Sequence, residues 1–295
     1  MNEPAVPITQ LIVTGAGGLV GACVVREARH LFPAIRVTEI LSPRKGGVDL
    51  TARDACQQLL DTVVVPSPGQ AAVIHCAADL AMEGAAVGLN NTSMTAHVAA
   101  WCNAIGLAFG VYVSSVSVYP PGALTTADAP PMPVNEYGRG KLAGEIIWTR
   151  ELGTEKTAIV RLAGVLGWQE QPQMFWNRLL LEALAQQRSA GGQYKVGSRR
   201  NYITGPEVAE CLIQTAMNRI TGTHLAAGLE TVTMGEFVSM LEEKSGPLSN
   251  WSGVEGAPDS VVYEPSPALS GWLKPFRFRF DQLWAQRPQT GGDPA

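Results

Sequence analysis

The run Thr14-Gly15-Ala16-Gly17-Gly18-Leu19-Val20-Gly21 constrains this chain more than any other segment. It follows a short, apolar, β-rich stretch at residues 8–14 and precedes an amphipathic stretch at residues 18–31 that closes near Pro33. A strand that turns through glycines into a helix exposes backbone N–H groups and points the helix's positive end toward them. Such a turn cradles a pyrophosphate. The spacing is not GxGxxG, because Val20 stands where the last glycine of that pattern would be; it is TGxxGxxG, through Gly15, Gly18 and Gly21. Gly15, Gly17, Gly18, Leu19, Val20 and Gly21 are therefore the expected phosphate-end contacts of a dinucleotide, with the last glycine letting helix and strand pack closely.

The same alternation continues beyond this turn. Strands are expected at 35–41, 72–76, 110–115 and 157–161, and helices at 52–61, 90–105 and 135–151. Strands alternating with helices imply right-handed crossovers and a parallel sheet, an α/β fold. After about Gly167 the rhythm changes. Helices are expected at 175–187, 206–218 and 234–243, with a glycine turn at Gly191-Gly192 and a disordered tail at the C-terminus. The 295 residues, 46% hydrophobic and 16% charged, suffice for a large buried core.

Several classes of function are disfavoured. A net charge of -4 with no basic cluster longer than Arg199-Arg200 gives no footprint for nucleic acid. No apolar run is long enough to span a bilayer, and residues 1–10 lack a basic start leading into an apolar stretch, so neither a membrane segment nor a secretory signal is expected. The five cysteines are scattered, without CxxC spacing. No metal site or disulfide framework is expected, and a reducing cytoplasm fits best.

Glu39 closes the second expected strand, where an acid can accept the ribose hydroxyls of NAD. Arg44 and Lys45 follow and could instead clamp the 2′-phosphate of NADP. Both cofactors stay open, with Glu39 favouring NAD. Asp49-Leu50 could place a carboxylate near the adenine, or Asp49 could cap the next helix.

Tyr137 and Lys141 stand four residues apart, on one face of an expected helix. An ammonium beside a phenol would lower its pKa from near 10 and suit it to proton transfer at a substrate oxygen while a nicotinamide exchanges hydride. The fourth strand ends in Val113-Ser114-Ser115-Val116-Ser117, at the edge where parallel sheets bind ligands. Ser115 there can orient the substrate oxygen, so Ser115, Tyr137 and Lys141 are the candidate catalytic centre. His75, inside an apolar strand, is expected to be a buried structural residue.

Together these residues resemble the extended short-chain dehydrogenase/reductase superfamily, with its sugar-nucleotide epimerases, dehydratases and ketoreductases, over nearly the whole chain. Residues 73–78 resemble its VIHxAA strand, Asn91 with Thr95 its NxxxT helix start, residues 115–119 its SxxVY, residues 161–167 its RxxNVYG, and residues 200–203 its RxY(I/V) element. Residues 133–145 are especially similar to dTDP-4-dehydrorhamnose reductases.

The resemblance implies a Rossmann-type doubly wound parallel sheet over residues 1–167, with returns near 202–228, and a smaller C-terminal α/β substrate domain over 168–295. It implies cofactor contacts at Cys76, Ala77, Ala78, Asn91 and Val113, and substrate contacts at Ser117, Gly164 and Arg200. It also implies a homodimer through helices 90–105 and 135–151, and a nucleotide-sugar substrate, the alternatives being a smaller ketone or alcohol and a catalytically silent NAD(P)-binding regulatory subunit. Gly164 stands where the family often carries an Asn. Val116-Ser117 stands where 4,6-dehydratases carry Asp-Glu, so dehydration is disfavoured. Epimerase and reductase stay open.

Overall fold

In a computed structural model of the protein, residues 6–120, 124–169, 174–185, 192–248, 250–257 and 259–288 are described. Five strands form before residue 163: β1 (Gln10–Thr14), β2 (Arg36–Ile40), β3 (Ala71–His75), β4 (Phe109–Ser115) and β5 (Thr157–Leu162). A sixth, β6 (Gly222–Ala226), is not among the expected strands; its sequence GTHLA is too short and too polar to stand out. The six pair in the order β6-β5-β4-β3-β1-β2, every neighbour parallel. The chain leaves β1 for β2 on one side and returns to β3 on the other. That reversal opens a crevice at the C-terminal strand ends, where open α/β sheets bind ligands.

Residues one apart on a strand face opposite sides of the sheet, so each strand feeds two cores. On one side Leu11, Val13, Ile74, Val111 and Val160 pack with residues of α1 (Leu19–Leu31) and α6 (Gly205–Met217). On the other, Ile12, Val73, Tyr112 and Ile159 pack with Leu59 of α2 (Ala55–Thr62), Trp101 of α3 (Ala85–Ala104) and Trp148 of α4 (Glu136–Leu152).

A third core joins α5 (Phe175–Ala185), α7 (Met234–Ser245) and α8 (Phe276–Ala285) through Leu179, Phe237, Leu241 and Phe280. Three two-stranded pairs accompany this part: Val165–Leu166 with Ile203–Thr204, Arg199–Arg200 with Val232–Thr233, and Gly192–Lys195 with Trp251–Val254. Helix α8 also lies outside the sequence expectations. The expected helix at 175–187 is seen as far as Ala185, while Gly191 and the final residues lie outside the described part. Among the described residues no helix is long and apolar enough to cross a membrane.

Candidate active site

The glycine turn takes its shape from Gly15, whose φ of +65° lies in the left-handed region. Gly21 lets α1 approach it: a Cβ there would lie 2.3 Å from the Gly15 carbonyl oxygen. Gly18 begins α1 without a side-chain cap, so the first N–H groups of the helix are free for a ligand. A Cβ at Gly18 would meet nothing nearer than 3.4 Å, so the approach is open. These features fit a dinucleotide pyrophosphate.

A cavity of about 680 Å³ runs from this turn along the strand ends, within the range of ligand pockets. Its walls include Gly15, Gly17, Gly18, Leu19, Val20, Gly21, Asp49, Leu50, Cys76, Ala77, Ala78, Val113, Ser115, Ser117, Tyr137, Lys141 and Gly164, all singled out from the sequence. Three expected cofactor residues are not on the wall. Glu39 bonds Arg29 at 2.7 Å instead. It pairs with Val13 in register, and the next residue, Ile40, turns to the cavity. Arg44 is exposed beside the wall residue Lys45, whose Nζ donates to the Gly17 carbonyl at 3.2 Å. Asn91 is buried behind the wall, its amide donating to the Asp79 carbonyl and accepting from the Asp79 N–H, both at 2.9 Å. Arg200 is also off the wall; it pairs with Asp259 at 3.3 Å.

Helix α4 carries Tyr137 in its first turn because Asn135 caps it, the Asn135 Oδ1 accepting from the Gly138 N–H at 2.7 Å. Gly144, two turns on, lets α4 settle onto β4, since a Cβ would lie 2.1 Å from the Tyr112 Oη. The result places Tyr137 and Ser115 on the wall of the same cavity. Ser115 itself accepts from the Ser117 N–H at 3.1 Å.

The electrostatics differ from the sequence expectation. Burial pushes the Tyr137 hydroxyl up to about 12, against the opposing pull of Ser115. Lys141 lies 4.8 Å over the Tyr112 ring and donates to the Val113 carbonyl at 2.8 Å. Burial lowers its pKa to about 8. Burial thus acts on Tyr137 in the direction opposite to the lowering expected from an ammonium. His75 is fully buried between Thr14 at 2.6 Å and Thr95 at 3.3 Å, stacked on Trp148. Burial lowers its pKa to about 3, so it stays neutral as a structural residue.

The cavity wall also holds residues that sequence reasoning left out as site members. Met82, Met94, Met174, Trp176 and Asn177 line it. Trp176 Nε1 donates to the Val165 carbonyl at 3.0 Å, and its ring lies where a side chain at Gly164 would go, 3.1 Å from a Cβ there. Among the described residues no cluster of His, Cys, Asp or Glu could hold a metal ion.

Residues 9–237 match the family model described as RmlD substrate binding domain. A search of curated proteins gives no match. Solved structures match along nearly their whole length. A dTDP-4-dehydrorhamnose reductase from Bacillus anthracis, in complex with NADP, has 17% identity and a TM-score of 0.76, covering 95% of this chain and 100% of the other. MoeE5 in complex with UDP-glucose and NAD has 22% identity and a TM-score of 0.74, over 94% and 99%. A UDP-glucose 4-epimerase from Thermus thermophilus, complexed with NAD, has 18% identity and a TM-score of 0.73, over 94% and 100%.

Proposed function

The chain belongs to the RmlD substrate binding domain family, within the extended short-chain dehydrogenase/reductases, and from that premise we propose that it is a nicotinamide-dependent ketoreductase acting on a nucleotide-activated sugar. One observation carries the reading: Ser115, Tyr137 and Lys141 line the same cavity as the glycine turn, so a proton donor stands where a hydride acceptor would bind. Reduction of a ketone consumes a proton at oxygen, and a neutral phenol can give one. An epimerase that begins by oxidising an alcohol would need the phenolate first.

The bound nicotinamide supplies the hydride. Ser115 donates a hydrogen bond to the carbonyl oxygen, and Tyr137 passes its proton to that oxygen as the alcohol forms. Lys141 holds the ribose hydroxyls. Gly15, Gly17, Gly18 and the first turn of α1 would hold the pyrophosphate; Asp49 and Leu50 would receive the adenine end, and Cys76, Ala77, Ala78 and Val113 the rest of the cofactor. Residues 1–167, with the return near 202–228, form the cofactor part, and most of 168–295 the substrate part. Glu39 is engaged by Arg29 and Lys45 stands on the wall, which favours NADP over NAD. Leu89 on α3 and Ile146 on α4 are exposed, consistent with a homodimer through those helices, and a cytoplasmic location suits the five free cysteines.

A second reading, reduction of a smaller ketone without a nucleotide, is favoured by the Trp176 ring in front of Gly164 and by Arg200 held on Asp259. Thermal-shift titration with UDP, dTDP, GDP and CDP separates the two, because only a nucleotide-sugar enzyme is stabilised by a nucleoside diphosphate. NADPH oxidation with dTDP-4-dehydrorhamnose as substrate then tests the ketoreductase directly. No stabilisation and no oxidation would overturn the proposal.

A further inference from the structure

Beneath the site lies an ion pair that the reaction above does not use. Glu145 of α4 and Arg161 of β5 are each 7% exposed. Arg161 binds the carboxylate with two bonds, Nε to Oε1 at 2.9 Å and Nη2 to Oε2 at 2.6 Å. Ser114, the neighbour of Ser115, donates to Oε1 at 2.5 Å. Arg161 also donates from Nη1 to the Tyr119 hydroxyl at 2.6 Å and to the Ala127 carbonyl at 3.1 Å. One pair thus joins the end of β4, helix α4 and the segment that follows Ser117.

Burying two ions is a weak way to stabilise a fold, since well-packed apolar residues of similar volume serve as well. The spacing on α4 suggests another use. Tyr137, Lys141 and Glu145 recur every four residues, on one face. The groups facing Lys141 are Tyr137 and Glu145 from α4, His75 and Cys76 from the end of β3, and Tyr112 from β4. Burial keeps His75 neutral and raises the thiol of Cys76 to about 12; it raises the Tyr112 hydroxyl as well. Glu145, fixed by Arg161, brings the negative charge.

We propose that Glu145 and Arg161 are positioning residues of the Ser115–Tyr137–Lys141 site. The pair clamps α4 to the end of β4 and sets a carboxylate one helical turn beyond the Lys141 ammonium. This rests on the reading that Lys141 holds the cofactor ribose.

NADPH binding to the full chain, followed by nicotinamide fluorescence from about pH 6 to about pH 10, tests it without turnover. In the wild type, affinity falls through a midpoint near 8 as Lys141 loses its proton. Glu145→Gln moves that midpoint down by about one pH unit. Removing Glu145 alone leaves the Arg161 charge buried and can unfold the chain. The double variant Glu145→Gln/Arg161→Met removes both charges, keeps the fold by circular dichroism, and shifts the midpoint in the same direction. An unchanged midpoint in a folded variant overturns the proposal. So does an equal loss of affinity at every pH, which is what a packing defect alone would cause. If the wild type binds neither NADPH nor NADH at any pH, the reading of the site fails first and the clamp's role falls with it.

Discussion

The ammonium of Lys141 is tied to the carbonyl of Val113 at 2.8 Å, on the strand that ends in Ser115, so lysine and serine are held by one piece of backbone. Tyr137 keeps its proton to about 12 while Lys141 loses its own near 8. In the reductive direction the rate should be flat up to about pH 8 and decline above it, with the lysine and not the tyrosine setting the fall. Tyr137→Phe should lower kcat by at least about 100-fold and leave NADPH affinity unchanged. Steady-state NADPH oxidation across pH, beside a fluorescence titration, measures both. A variant that turns over normally would remove the tyrosine from the mechanism.

Gly21→Ala pushes a methyl to within 2.3 Å of the Gly15 carbonyl oxygen. The expected cost is about 1–3 kcal/mol of stability, together with loss of cofactor binding, because the turn can no longer hold its shape. Urea unfolding and NADPH titration of the folded variant measure the two effects. Unaltered binding would show that the turn does not hold the pyrophosphate.

Lys45 and Glu39 should behave in opposite ways. Lys45→Ala is expected to weaken NADPH about tenfold or more, as the loss of one charged hydrogen bond would, while NADH affinity stays the same. Glu39→Gln should change neither, since its carboxylate is engaged by Arg29. Calorimetric titration with both cofactors decides it. A selective loss of NADH binding in Glu39→Gln would restore the acid to the ribose.

His75 provides a test at acid pH. Burial lowers its folded pKa from 6.5 to about 3, so below 6.5 the unfolded chain takes up a proton that the folded chain refuses. Stability is therefore lost progressively as pH falls from 6.5 toward 3. His75→Gln, although less stable at neutral pH, should lose less across that interval. Urea midpoints at a series of pH values give the comparison, and equal slopes for both proteins would assign the acid sensitivity elsewhere.

The parts of the site that can be read from the sequence are those whose geometry is local. The glycine turn, the Tyr137–Lys141 spacing and the strand end at Ser115 each lie within one short segment, where backbone period fixes which residues share a face. Glu39 does not line the cavity, while Ile40, one position on, does. Counting back from the strand end, Ile40 pairs with Thr14 and faces the crevice, so its neighbour turns away. The proton state of Tyr137 escapes the sequence for another reason: desolvation depends on what packs around a group, and four-residue spacing carries no such information. Trp176 reaches Gly164, and Asp259 reaches Arg200, only through the packing of segments the motifs do not connect.

The two margins of the central sheet are not equivalent. Along β6 the unpaired groups are partly met from within the chain, the Leu225 N–H donating to the Ser266 hydroxyl and the Ser266 N–H to the Leu225 carbonyl. Strand β2 has no such cover among the described residues and carries the exposed charges of Arg36 and Glu39. Charged side chains on a bare rim discourage a second molecule from adding its own strand there. Arg36 and Glu39 thus guard against fibrous self-association, and neutralising both would leave the protein folded but prone to aggregate.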